Sequence, residues 1–193
     1  MSDFKGKVVL VTGASSGIGA EVARLFAQQQ ARLSIVARNA ERLNKVAEEC
    51  RKLGAEGVLV VIADLSKENE AEKIVKETIE RFEKLDILIN NAGVGISASV
   101  ENVTGNDFDK AFDVNVKAVV LVTKHVIPYL EKTKDGAKAY FPSPEIKAQY
   151  DAFSSSRHPL GGQNLTVQEI GDAVLYLASE RAKMITGICL FVH

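Results

Sequence analysis

The residues best placed to do chemistry begin at Thr12-Gly13-Ala14-Ser15-Ser16-Gly17-Ile18-Gly19, where glycines recur as G-x-x-x-G-x-G. Glycine lets a backbone turn sharply and approach a ligand, and the free N–H groups opening a following helix favour a phosphate. Gly13, Ser15, Ser16, Gly17, Ile18 and Gly19 thus form a candidate pyrophosphate cradle. On its own such a stretch is only a turn; its place between a first strand and a first helix is what points to a dinucleotide. A second position is Ala37-Arg38-Asn39, where a second strand ends. A carboxylate there would accept a hydrogen bond from a ribose 2′-hydroxyl, whereas a guanidinium suits a 2′-phosphate. Arg38 therefore favours NADP(H) over NAD(H), the plainer alternative being a surface arginine at the sheet edge. His125 and His158 carry imidazoles of the kind that serve in proton transfer, but spacing assigns neither a carboxylate partner. Cys50 and Cys189 have no metal-ligand spacing and are too few for a disulfide framework, so reduced thiols and no metal site are expected.

These residues need elements to hold them, and the pattern supplies an alternation of short β-branched runs with helical periods. Strands are predicted over residues 7–12, 32–37, 57–63 and 85–90, with helices over 18–30 and 40–53 between the first three. Asn39 can cap the second helix, and Gly54 sits where a left-handed terminal residue is wanted. Ser66 opens a third helix, whose Ala71, Ile74, Val75, Thr78, Ile79 and Phe82 keep the spacing of a buried stripe. Thr104 and Asp107 resemble a capping box for a long helix reaching about residue 134. Residues 135–165 hold three of the four prolines and read as an irregular loop with at most a short helix. Thr166 then caps a helix to 178 or 179, and a last strand is expected over 185–192.

The 193 residues carry 24 Lys+Arg against 25 Asp+Glu, and a net charge of −1 provides no field to gather nucleic-acid phosphates. With 46% hydrophobic residues the chain can build a core, which excludes a disordered or fibrous class. The expected organisation is one domain over 1–193, with a substrate-loop-like segment at about 135–165. No apolar run approaches the roughly 18 residues of a membrane span. The N-terminus runs directly into a short apolar strand, without a signal-peptide pattern. A cytoplasmic protein is expected, partnered by neither nucleic acid nor membrane.

Four motifs occur in a family's order: Thr12 to Gly19, Asp64-Leu65, Asn90-Asn91-Ala92-Gly93, and Asn115 in Asn115-Val116-Lys117. In these the chain resembles the short-chain dehydrogenases/reductases. The resemblance implies a Rossmann-like, doubly wound parallel α/β sheet, and hydride transfer between NADP(H), or NAD(H), and a small carbonyl or secondary alcohol. It implies that Asp64 and the Leu65 backbone meet adenine, and that Asn90, Ala92 and Gly93 line the nicotinamide side. It also implies that the Asn115 backbone carbonyl holds a water of the proton relay. Without the resemblance, Asp64 is a helix N-terminal charge beside Ser66, and an asparagine inside a helix satisfies a neighbouring backbone group.

The family's relay pairs a Tyr with a Lys four residues later on one helix face, where the ammonium stabilises phenolate, and adds a Ser. Here Tyr129 is followed at that distance by Thr133, Tyr140 by Pro144, Tyr150 by Ser154 and Tyr176 by Glu180, so Tyr-x-x-x-Lys does not occur. The strand bearing the Ser and a later Pro-Gly turn are not found either. The long helix passes into what resembles the family's substrate loop, from about residue 140 to 162. That implies an internal gap of one strand, one helix and one strand, at least about 30 residues. Of the catalytic set only Asn115 has a counterpart; Tyr140 and Tyr150 could touch a substrate.

The reading by ancestry is thus an NADP(H)-linked oxidoreductase, catalytically impaired. The alternatives are a non-catalytic dinucleotide-binding or subunit-associating protein and an unstable truncated chain. The gap is expected to strip the fourth strand of its neighbour, an edge the last strand could cover. It is also expected to expose a stripe containing Phe112, Val119 and Val122, which would favour a homo-oligomer.

Overall fold

The computed structural model describes residues 4–132, 139–140, 166–179 and 182. Strand β1 (Val8–Thr12) is apolar at four of five positions because both its faces are covered, Val9 and Val11 on one side, Val8 and Leu10 on the other. It lies inside a parallel sheet with β2 (Arg32–Ala37), β3 (Gly57–Ile62), β4 (Ile87–Ile89) and β5 (Ala139–Tyr140), in the order β3-β2-β1-β4-β5. Helices α1 (Gly17–Gln28), α2 (Ala40–Lys52) and a C-terminal helix cover one face. Helix α3 (Glu68–Phe82) and the long helix after β4 cover the other. This is the expected doubly wound α/β fold.

Local signals start and stop these elements as the sequence suggests. The Asn39 side chain accepts the Arg42 N–H at 2.9 Å to open α2, and Gly54 takes a φ of +106° beyond its end. Reciprocal capping boxes open α4 (Gly105–Phe112) through Thr104 and Asp107, and α6 (Val167–Ala178) through Thr166 and Glu169. Helix α3 begins later than Ser66, because the Ser66 N–H and Oγ–H both donate to Asp64 Oδ1, at 3.2 and 2.9 Å, and the pair forms a turn ahead of the helix. At the opposite end of the sheet the buried Asp86 carboxylate ties β4 to β1: it accepts the Val8 N–H at 2.7 Å and pairs with Lys84 at 2.9 Å.

Three expectations are corrected. The long helix is not uniform: α4 runs into a π-helical turn (Asp113–Lys117) and then into α5 (Ala118–Leu130). The fourth strand keeps a neighbour, since Ala139 and Tyr140, placed in the irregular loop by sequence, pair in parallel with Leu88 and Ile89. Two residues of strand carry no detectable periodicity. In the apolar stripe only Phe112 is well exposed; Val122 is fully buried against the sheet and Val119 is half-buried. The residues in the outward positions are Phe108, Phe112, Val116 and Val120, one every four, followed by Ile127. The expected strand over 185–192, and Tyr150, His158 and Cys189, lie outside the described residues.

Candidate functional site

Four parallel strands ending on one side leave four loops there, and where the chain's winding reverses, between β1 and β4, those loops diverge into a crevice. The crevice here has a volume of about 610 Å³. Its floor comes from the turn after β1, where Gly13, Ser15, Ser16, Gly17 and Ile18 line it. Gly13 adopts a φ of +68°, and a Cβ there would stand 2.8 Å from the Ala92 Cα. No side chain fits between the two loops. Ser16 is the N-cap of α1 yet its hydroxyl makes no capping bond, and no acidic residue occupies the first turn. The N–H groups there keep their capacity for an anion.

The loops are locked to each other by Thr12 and Asn91. The buried Thr12 hydroxyl accepts the N–H groups of Asn91 and Ala92, both at 3.0 Å, and donates to the Ile89 carbonyl at 3.3 Å. The Asn91 side-chain amide donates in return to the carbonyls of Thr12 and Gly13, at 3.0 and 3.2 Å. Gly19 does not line the crevice; it lies behind the turn, against Asn91 and the Gly13 carbonyl. Asn90 is also withdrawn, buried and donating to the Thr123 Oγ1 at 3.2 Å, so it joins β4 to α5. Ala92 and Gly93 do line the crevice, together with Val94.

The far end of the crevice is formed by Arg38, Asp64 and Leu65, from the loops after β2 and β3. Burial pushes the Asp64 carboxyl up, but the two Ser66 hydrogen bonds and the charges of Arg38 and Lys67 together outweigh it and hold it below the usual carboxylate range. Asp64 is therefore ionised at neutral pH. Arg42, which the sequence reading passed over, lines the same end. The signal that would have found it is the Asn39 cap, which fixes the phase of α2.

Asn115 sits in the π-helical turn, outside the crevice lining, and grips the backbone of Val94: its Oδ1 accepts the Val94 N–H at 2.8 Å and its Nδ2 donates to the Val94 carbonyl at 2.9 Å. It thus positions a loop whose residues line the crevice, as does Val114 from the same turn. The turn is held to α3 by Lys117, which pairs with Glu68 and, at 3.7 Å, with Asp113. Neither His125 nor Tyr129 lines the crevice; both are half-buried on α5. Among the described residues no three His, Cys, Asp or Glu gather as a metal site.

Comparison with known proteins places this crevice in a family. The family described as short chain dehydrogenase matches residues 7–139. The chain is 45% identical over 130 residues, 67% of its length, to "11-beta-hydroxysteroid dehydrogenase-like 2" of Arabidopsis thaliana, of which this covers 42%. It is 36% identical over 190 residues, 91% of its length, to "11-beta-hydroxysteroid dehydrogenase 1A" of the same plant, covering 53% of it. To an "Uncharacterized oxidoreductase" of Thermotoga maritima it is 40% identical over 134 residues, 69% of this chain and 52% of that protein. The chain thus spans about half the length of these curated relatives. Among solved structures it resembles the NADH-dependent reductase A1-R′ complexed with NAD, with a TM-score of 0.79, 26% identity and coverage of 98% of this chain and 99% of that one. With the family model matched over residues 7–139 and relatives 40 to 45% identical over two thirds of its length, the chain belongs to the short-chain dehydrogenase family.

Proposed function

We propose that the crevice takes NADP(H), and that this chain holds the dinucleotide without completing a carbonyl reduction by itself. One observation carries the reading: the glycine turn, Arg38, Asp64 and Gly93 line a single cavity, ordered as the parts of a dinucleotide require. The site fits the group, since the open N–H groups of α1 suit a pyrophosphate, Asp64 is ionised to accept an adenine amino group, and Arg38 places a donor fork where β2 ends. In this reading Gly13, Ser15, Ser16, Gly17 and Ile18 hold the phosphates, Gly19 and Asn90 support the loops from behind, and Leu65, Ala92 and Gly93 close on the rings. When bound, the nicotinamide would supply or accept a hydride. Asn115 positions the Val94 loop, while the Tyr, Lys and Ser of the family's relay have no counterpart in the sequence.

The names of the plant relatives support a secondary alcohol or carbonyl as the ancestral substrate class. The NAD bound to the structural relative favours a second reading, NAD(H) in the same crevice. We further propose a single domain over 1–193, a cytoplasmic location, and a second copy of this chain as partner along the exposed face of α4 and α5. Among the described residues no helix is long and apolar enough to cross a membrane.

A thermal melt with and without NADPH tests the binding. At about a hundredfold excess over Kd, binding to the folded state alone adds about 2.7 kcal/mol, or roughly 5 to 10 °C for a chain of this size. An unshifted transition counts against the crevice as a dinucleotide site. NADPH oxidation with a panel of carbonyls tests the impairment, and turnover above background overturns it.

A further inference from the structure

We infer that Arg42 is the second arm of a two-arginine clamp on the 2′-phosphate of NADP(H), and so determines nucleotide specificity together with Arg38; this rests on the NADP(H) reading above. Arg38 leaves the end of β2 and Arg42 stands at the third position of α2, and both line the end of the crevice that holds Asp64. Arg42 is held in that phase by its own N–H, donated to the Asn39 side chain at 2.9 Å. A Cα–Cβ bond in a helix tilts toward the N-terminus, which here directs the side chain back to the loop carrying Arg38.

Three observations separate these arginines from the other described ones. Arg24 pairs with Glu21 and Glu49, Arg32 pairs with Glu56, Arg51 donates to the Val58 carbonyl, and Arg81 lies over the Phe82 ring. Among the described residues neither Arg38 nor Arg42 makes a side-chain hydrogen bond or ion pair, Arg42 being bonded through its backbone N–H alone, and the charge of Arg38 acts on Asp64. A cation in the first turn of a helix is also misplaced relative to the helix dipole, an unfavourable position that a bound dianion would compensate. Glu41, the acid of that turn, does not line the crevice. Asp64 alone cannot bind the phosphate and would repel it, so two guanidinium forks around one carboxylate leave the site net positive where a dianion of three acceptor oxygens would sit.

The test is calorimetric titration of the whole chain with NADPH and with NADH, for the unaltered protein, Arg42→Ala, Arg42→Lys and the control Lys45→Ala, an exposed cation on the same helix that does not line the crevice. Arg42→Ala is expected to weaken NADPH about tenfold and NADH less than about twofold, with Arg42→Lys in between. Lys45→Ala is expected to leave both unchanged. Arg42 is exposed, so melting without nucleotide should be unaltered in each variant. Equal losses for NADPH and NADH, or an equal effect from Lys45→Ala, overturn the clamp and leave the NADP(H) reading standing. An unaltered protein that binds NADH as tightly as NADPH overturns the NADP(H) reading, and the clamp with it.

Discussion

At the scale of single residues, the site depends on groups that spend their hydrogen bonds on one another. Thr12 and Asn91 together make five bonds between the turn after β1 and the loop after β4, across almost eighty residues of chain. Replacing Asn91 by Ala removes the two donated by its side chain and leaves the carbonyls of Thr12 and Gly13 without that donor. At about 1 kcal/mol per bond the expected loss is about 2 kcal/mol in urea denaturation, with weaker NADPH binding because the turn loosens. Unchanged stability would show that water replaces the amide fully. None of this lock was legible beforehand, for it depends on the register of two strands. Arg38 and Asp64 were legible because each follows a recognisable strand directly. Asp64 adds a pH dependence of known sign. Its folded pKa lies below its unfolded value, so its contribution to stability is complete above the ordinary carboxylate range and fades as the pH falls through the lowered value.

At the scale of elements, the caps at Asn39, Thr104 and Thr166 were readable because cap and partner lie within three residues. The π-helical turn and β5 were not, since one is a single turn in an otherwise helical period and the other has two residues. The docking of α6 is another tertiary matter. Gly171 faces α1 so closely that a Cβ would stand 2.5 Å from the Leu25 Cδ1. Leu25 is itself buried and has little room to give. Gly171→Val is therefore expected to destabilise by about 1 to 3 kcal/mol through overpacking, and to release α6 before the sheet opens. Hydrogen exchange would show this as lost protection over Val167–Ala178 with protection of β1 retained. Equal loss at both places would mean that α6 and the sheet unfold as one unit.

At the scale of the molecule, both faces of the sheet are covered, but the helices over them differ in what they turn outward. One carries α1, α2 and α6, while the outer side of α4 and α5 presents Phe108, Phe112, Val116 and Val120 to solvent, with the two phenylalanine rings stacked at 6.0 Å. Val120 is 60% exposed, so Val120→Lys is expected to preserve the melting temperature and to shift light scattering at high concentration from dimer toward monomer. A chain that is already monomeric at that concentration sinks the proposed self-association.

The packing of the face under α1, α2 and α6 also bears on its chemistry. Cys50 points from α2 into the core, and burial pushes its thiol up to about 12. At neutral pH it is neither ionised nor reachable while α2 stays in place. The native molecule thus carries a silent clock: an alkylating reagent can mark Cys50 only in the moments when the helix lifts, and the pace of marking measures how often the fold breathes.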